Sequence, residues 1–145
     1  MTSPDALTSF VKEAFTIADR RILLILGQVD NAPLILQKTG LDVTGFTRVL
    51  DNYGVRHTIK QHGNARQESK RGQIAVTLED FGKILAITSQ PDDVFADDKN
   101  KIGRDVIVYV KVIDGVGYRH VEEVRGKRRL VATDSLRKKK GAWSA

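Results

Sequence analysis

Apolar residues recur at three- and four-residue spacing near the start of the chain, at Ala6, Leu7, Phe10, Val11, Ala14, Phe15 and Ala18, behind a cap-like Thr2-Ser3-Pro4-Asp5. This period predicts an amphipathic first helix. Arg21 to Val29 is short and rich in Ile and Leu, which predicts a buried strand closed by Asp30-Asn31. Asn31 caps a second helix, with Pro33 in its first turn and Gly40 at its end. Thr47 to Leu50 reads as another short strand, and Asp51-Asn52 as the cap of a helix from about Tyr53 to Gln61, closed by Gly63-Asn64. Ala65 to Gly72 reads as a polar, basic loop. Thr77 caps Leu78 to Ile87, with Asp80 in the acidic position of a capping box, and Pro91 marks the exit.

After Pro91 the period becomes alternating. Val106, Val108, Val110 and Val112 form one face of a strand and Ile107, Tyr109, Lys111 and Ile113 the other. Asp114-Gly115 signals a hairpin, Gly117 to Val124 the return strand, and Arg129 to Ser135 a further strand on which Val131, Thr133 and Ser135 share a face. The pattern is α+β, a single unit over residues 1–145 with a helical lobe at about 1–92, an antiparallel sheet at about 93–136 and a basic tail at 137–145.

Composition narrows the function classes. The 145 residues suit one domain, and no apolar run approaches the roughly 20 residues that cross a bilayer. Met1 to Phe10 lacks the layout of a signal peptide. There is no cysteine, which excludes disulfides and thiolate metal sites. No His-Glu-x-x-His sequence or calcium-loop spacing occurs, so no metal site is expected. No phosphate-cradling glycine loop occurs either, so no cofactor is expected. A net charge of +6, with basic residues dense over Arg56 to Arg71 and Arg125 to Lys140, suits a polyanionic partner such as nucleic acid and equally a solvated, solubilising surface.

Two of the three histidines, His57 and His62, fall among basic and amide residues. Histidine exchanges protons near neutral pH, so the pair suits general base and general acid. The spacing equally accommodates two surface or capping residues of one helix, and five residues turn a helix by about 140° net. Lys111 offers a cation and Thr133 or Ser135 a hydroxyl for a charged phosphorane. Taken alone, each also suits a plain sheet residue. His120, beside Arg119 and Glu122, reads as a sheet-surface residue, although a histidine beside a carboxylate also suits an acid–base pair.

Thr39-Gly40-Leu41-Asp42-Val43, the block Arg56-His57-Thr58-Ile59-Lys60-Gln61-His62-Gly63, Thr77-Leu78-Glu79-Asp80-Phe81, Pro91-Asp92 and Leu130-Val131-Ala132-Thr133 together resemble the phage-barnase–EndoU–colicin–RelE-like nuclease domains. The resemblance spans roughly Arg21 to Lys140. It implies a helical lobe on a four-stranded antiparallel sheet with a cleft between them. It also implies metal-independent RNA cleavage that leaves a cyclic phosphate, by a bacterial toxin or a phage or mobile-element effector. The family histidines match His57 and His62, the hydroxyl position matches Thr133, and Lys111 is carried over as a central-strand cation. Arg56, Lys60, Arg119 and Ser135 are the expected substrate contacts. Tyr109 takes the stacking role, because Thr133-Asp134-Ser135 stands where the family often has Thr-x-Tyr. The implied partners are RNA, with tRNA among the candidates, and an acidic immunity or antitoxin protein. Action would be cytoplasmic, after delivery with a secreted toxin or a phage particle. The alternative readings are a non-catalytic nucleic-acid-binding module and a phage structural or assembly protein.

Overall fold

A computed structural model describes residues 2–144. Met1 and Ala145, at the outer ends of the start and the tail discussed above, lie outside the described residues. The elements follow in the order α1 (Pro4–Phe15), β1 (Leu23–Gln28), α2 (Ala32–Thr39), β2 (Thr47–Asp51), α3 (Asn52–His62) and α4 (Ala65–Lys70), then a 3-10 turn (Leu78–Lys83) running into α5 (Ile84–Ser89). The sheet strands β3 (Asp93–Asp97), β4 (Val106–Ile113), β5 (Val116–Arg125) and β6 (Leu130–Lys140) complete the chain.

The fold is α+β, but the sheet has six strands rather than the four expected, in the order β1-β2-β6-β5-β4-β3. The antiparallel meander β3 to β6 is extended because β2 joins β6 in parallel at Thr47↔Leu130, Arg48↔Val131 and Val49↔Ala132, and β1 pairs with β2. The chain then leaves the sheet at Asp51, whose carboxylate accepts the Gly54 N–H at 2.8 Å and caps α3. From there α3 runs along the edge of β6 that β2 no longer covers. Gly54 allows the approach, since a Cβ there would collide with the Thr133 carbonyl.

The sheet's inner face carries the main core. Leu7 and Val11 of α1, Ile84 and Ile87 of α5, and Phe81 pack with Ile107, Tyr109, Tyr118, Val131 and Leu136. A smaller cluster of Val106, Val108, Val110 and Val121 lies on the outer face, flanked by Phe95 and Trp143. The alternation expected for β4 therefore divides its valines from Ile107 and Tyr109 as read.

Four local expectations are corrected. Ala65 to Lys70 is a helix rather than a loop, because Asn64 accepts the Gln67 N–H at 3.0 Å and Glu68 gains buried partners. The basic run Arg137 to Lys140 continues β6 rather than forming a tail, with Lys138 paired to Asp80 at 2.8 Å and Lys139 set over the Trp143 ring at 5.2 Å. His120 is fully buried rather than on the sheet surface. Thr133 and Ser135 do not share a face: they pair with Glu122 and Val121, consecutive residues of β5, so Asp134 between them is a bulge.

Candidate active site

The inner face holds a buried polar network in which the Arg48, Glu122 and Tyr109 groups satisfy one another, while His120 Nδ1 is left without a partner among the described residues. Arg48 donates from Nε to Glu122 at 2.6 Å, and the Tyr109 hydroxyl donates to the same carboxylate. Burial, the largest single influence, would raise the Glu122 carboxyl, but the Arg48 charge together with the hydrogen bonds from Arg48 and Tyr109 holds the group below its ordinary range. Thr133 Oγ1 lies 2.9 Å from His120 Nε2, and burial pushes His120 down to about 4. Tyr109, 0% exposed, is thus a core residue and presents no stacking surface, and the Thr133 hydroxyl is turned inward.

The outer side of β5 and β6 is arranged differently. His62, the last residue of α3, lies against β6 with only 5% of its surface exposed. Its Nδ1 faces Glu68 Oε1 at 3.3 Å, and its Nε2 faces Arg137 Nε at 3.1 Å. An arginine Nε only donates, so Nε2 is the acceptor and the ring proton sits on Nδ1, directed at Glu68. Burial and the Arg137 charge depress the His62 pKa against the pull of Glu68, which keeps the ring neutral. Glu68 is fully buried and also takes a bond from Arg71, whose guanidinium donates to the Gln61 carbonyl at 2.9 Å.

Arg137 stands directly opposite Arg119 across the β5–β6 pair. Like charges in that position repel. Arg119 is balanced by Asp97 at 2.9 Å, whereas Arg137 makes no ion pair among the described residues and bonds only to a neutral imidazole. Burial and the Arg119 charge lower its pKa. Ser135 lies two residues away on the same face and makes no side-chain hydrogen bond among the described residues. The result is a carboxylate-oriented imidazole beside an electropositive patch of two facing arginines.

The structure gathers His62, Arg119 and Ser135, from among the residues singled out by sequence, around this patch. Glu68, Arg71 and Arg137 join them. His57 is elsewhere: exposed, one and a half turns earlier on α3, it lines a cavity of about 650 Å³ whose wall includes Thr133 and Asp134. Lys111 donates to the Gln90 carbonyl at 2.6 Å and faces Asp92 at 3.7 Å, remote from both places. Arg56 is held over the Phe15 ring at 6.0 Å, and Lys60 is exposed on α3. Among the described residues no group of three or more His, Cys, Asp or Glu could hold a metal ion, and no helix is long and apolar enough to cross a membrane.

Residues 27–144 match the family model described as phage-Barnase-EndoU-ColicinE5/D-RelE like nuclease 3. No curated protein and no solved structure matches the chain.

Proposed function

Because the chain belongs to the phage-barnase–EndoU–colicin–RelE-like nucleases, we propose that it is a metal-independent endoribonuclease working from the outer face of β5 and β6. The observation that carries this reading is the Glu68–His62 pair, with Nε2 turned onto Arg137. A carboxylate at Nδ1 fixes the tautomer and orientation of an imidazole whose other nitrogen is the base.

A substrate phosphate competes for the Arg137 guanidinium and releases the His62 Nε2 lone pair. Nε2 takes the proton of the 2′-hydroxyl, the 2′-oxygen bonds to phosphorus, and the P–O5′ bond breaks. The leaving 5′-oxygen takes a proton from water, and the product ends in a 2′,3′-cyclic phosphate. Arg119 and Arg137 carry the charge of the phosphorane, and the Ser135 hydroxyl donates to one of its oxygens. In this reading Lys111 and Thr133 support the fold, and His57 contacts substrate from the neighbouring cavity. A toxin or phage-delivered effector is the biological setting this chemistry suits. The +6 charge suits an acidic immunity protein as partner.

Incubation with total bacterial RNA in EDTA tests the reading. Discrete fragments with cyclic ends are expected, with a loss of about 10²- to 10⁴-fold in His62→Ala. Activity should decline as pH falls through a value below the ordinary histidine value of 6.5, because the neutral ring is the working form. Intact RNA from a folded, RNA-binding wild type would favour a binding module.

A further inference from the structure

The cavity beside His57 is enclosed by the start of α3, the β5–β6 turn and the segment between β3 and β4. Its charges are matched unevenly. Asp51 is paired with Arg125 at 3.2 Å, and Glu123 with Arg104 at 3.0 Å and Arg125 at 2.7 Å. Asp134, at the β6 bulge, makes neither a hydrogen bond nor an ion pair among the described residues, although it is half-buried and His57 lies near enough to act on its charge. Burial raises its pKa and His57 pulls it back. Lys127 and Arg128, exposed at the rim, are also without ion-pair partners among the described residues. Two apolar groups of unusual exposure line the same space: Tyr53 at 41%, with Arg21 stacked 5.1 Å from its ring, and Ile102 at 66%.

This combination restricts the occupant. A simple anion is repelled by Asp134, and a purely apolar ligand would strand the charges. A volume of about 650 Å³ lies within the range of small-ligand sites. What fits is a flat group with N–H donors joined to an anion. Asp134 and Arg137 are three residues apart on β6, about 10 Å, so one bound strand reaches both places.

We propose that this cavity is a base-recognition site, in which Asp134 accepts hydrogen bonds from the exocyclic amino group of a nucleobase lying between Tyr53 and Ile102, while Lys127 and Arg128 hold an adjoining phosphate. This assignment rests on the reading that the protein acts on RNA. Cytosine, adenine and guanine each present an exocyclic amino group to a carboxylate, whereas the carbonyl oxygens that flank the single N–H of uracil oppose one.

The experiment measures binding of labelled single-stranded oligo(C), oligo(A) and oligo(U) to the uncleaving His62→Ala protein, with and without Asp134→Asn, folding being checked by thermal melting. Oligo(C) and oligo(A) should bind about tenfold more tightly than oligo(U). Asp134→Asn should erase or reverse that preference, because its amide donates to uracil carbonyls. Lys127→Ala with Arg128→Ala should weaken all three alike and flatten the salt dependence. Equal binding of oligo(U), or an unchanged preference in Asp134→Asn, overturns the assignment. Wild-type cleavage of the same oligonucleotides is read separately. An Asp134-dependent preference without cleavage supports the cavity and removes the nuclease reading, whereas cleavage without preference does the opposite.

Discussion

The two faces of β5 and β6 handle buried charge in opposite ways. On the inner face Arg48, Glu122 and Tyr109 close on one another, and His120 meets Thr133, so the strands pack against the helices with their charges matched. On the outer face Arg119 and Arg137 stand opposite each other, and the second bonds to a neutral His62. A matched network adds to the uniqueness of a core, and an unmatched one is a place that a ligand completes. Burial alone does not separate the two cases, since Glu68 is as deeply buried as Glu122. The separation comes from what the last member of each chain of contacts faces.

Several substitutions sharpen this contrast. Glu122→Ala leaves the buried Arg48 guanidinium with only the part-exposed Asp30 carboxylate, 3.7 Å away, as counter-charge, and urea denaturation should show a loss of about 3–5 kcal/mol. A loss under about 1 kcal/mol would mean that the inner network is not what holds these strands. His120 gives a pH signature of the same face. Its folded value of about 4 lies below the ordinary 6.5, so the unfolded chain takes the proton first. Its contribution is complete above pH 6.5 and is lost as pH falls towards 4, about 3 kcal/mol in all. His120→Gln, which keeps a donor for Thr133, should flatten stability against pH over that window. On the outer face Arg137→Gln should leave stability unchanged or raise it by up to about 1 kcal/mol, because a like-charge pair disappears. The same change should reduce the salt slope of RNA binding by about one. Smallest of all, Lys111→Ala should leave cleavage within about twofold of wild type, since its ammonium serves a surface pair. A larger loss would restore Lys111 to the chemistry.

The elements with a clear apolar period were legible in the chain: α1, α2, the capping box at Thr77 and Asp80, and the β4–β5 hairpin. Asp114 and Gly115 both adopt positive φ, 51° and 78°, as the hairpin signal requires. What hid the second half of β6 was its own sequence. Arg137 to Lys140 has no apolar alternation, and its side chains meet Asp80 and His62, both distant in sequence, and the nearby Trp143. The parallel join of β2 to β6 likewise spans three residues and leaves no periodic trace.

The bulge at Asp134 had the largest consequence for the site. It moves Thr133 to the inner face and keeps Ser135 on the outer one, where strict alternation put the two together. His62, Arg119 and Ser135 were visible as residues, but their meeting was not. Glu68 and Arg71 stood in a stretch that read as a loop because it carries no apolar stripe, and only the Asn64 cap signalled a helix there.

The most direct test of the contrast is to compare Arg48→Ala with Arg137→Ala in one experiment, measuring thermal stability and RNA cleavage on each purified protein. The account predicts that Arg48→Ala lowers the melting temperature sharply, while Arg137→Ala keeps it and loses cleavage by about 10²-fold or more. If Arg137→Ala melted early and its folded fraction cleaved RNA like the wild type, the outer face would be structural and the assignment of the active site would be contradicted.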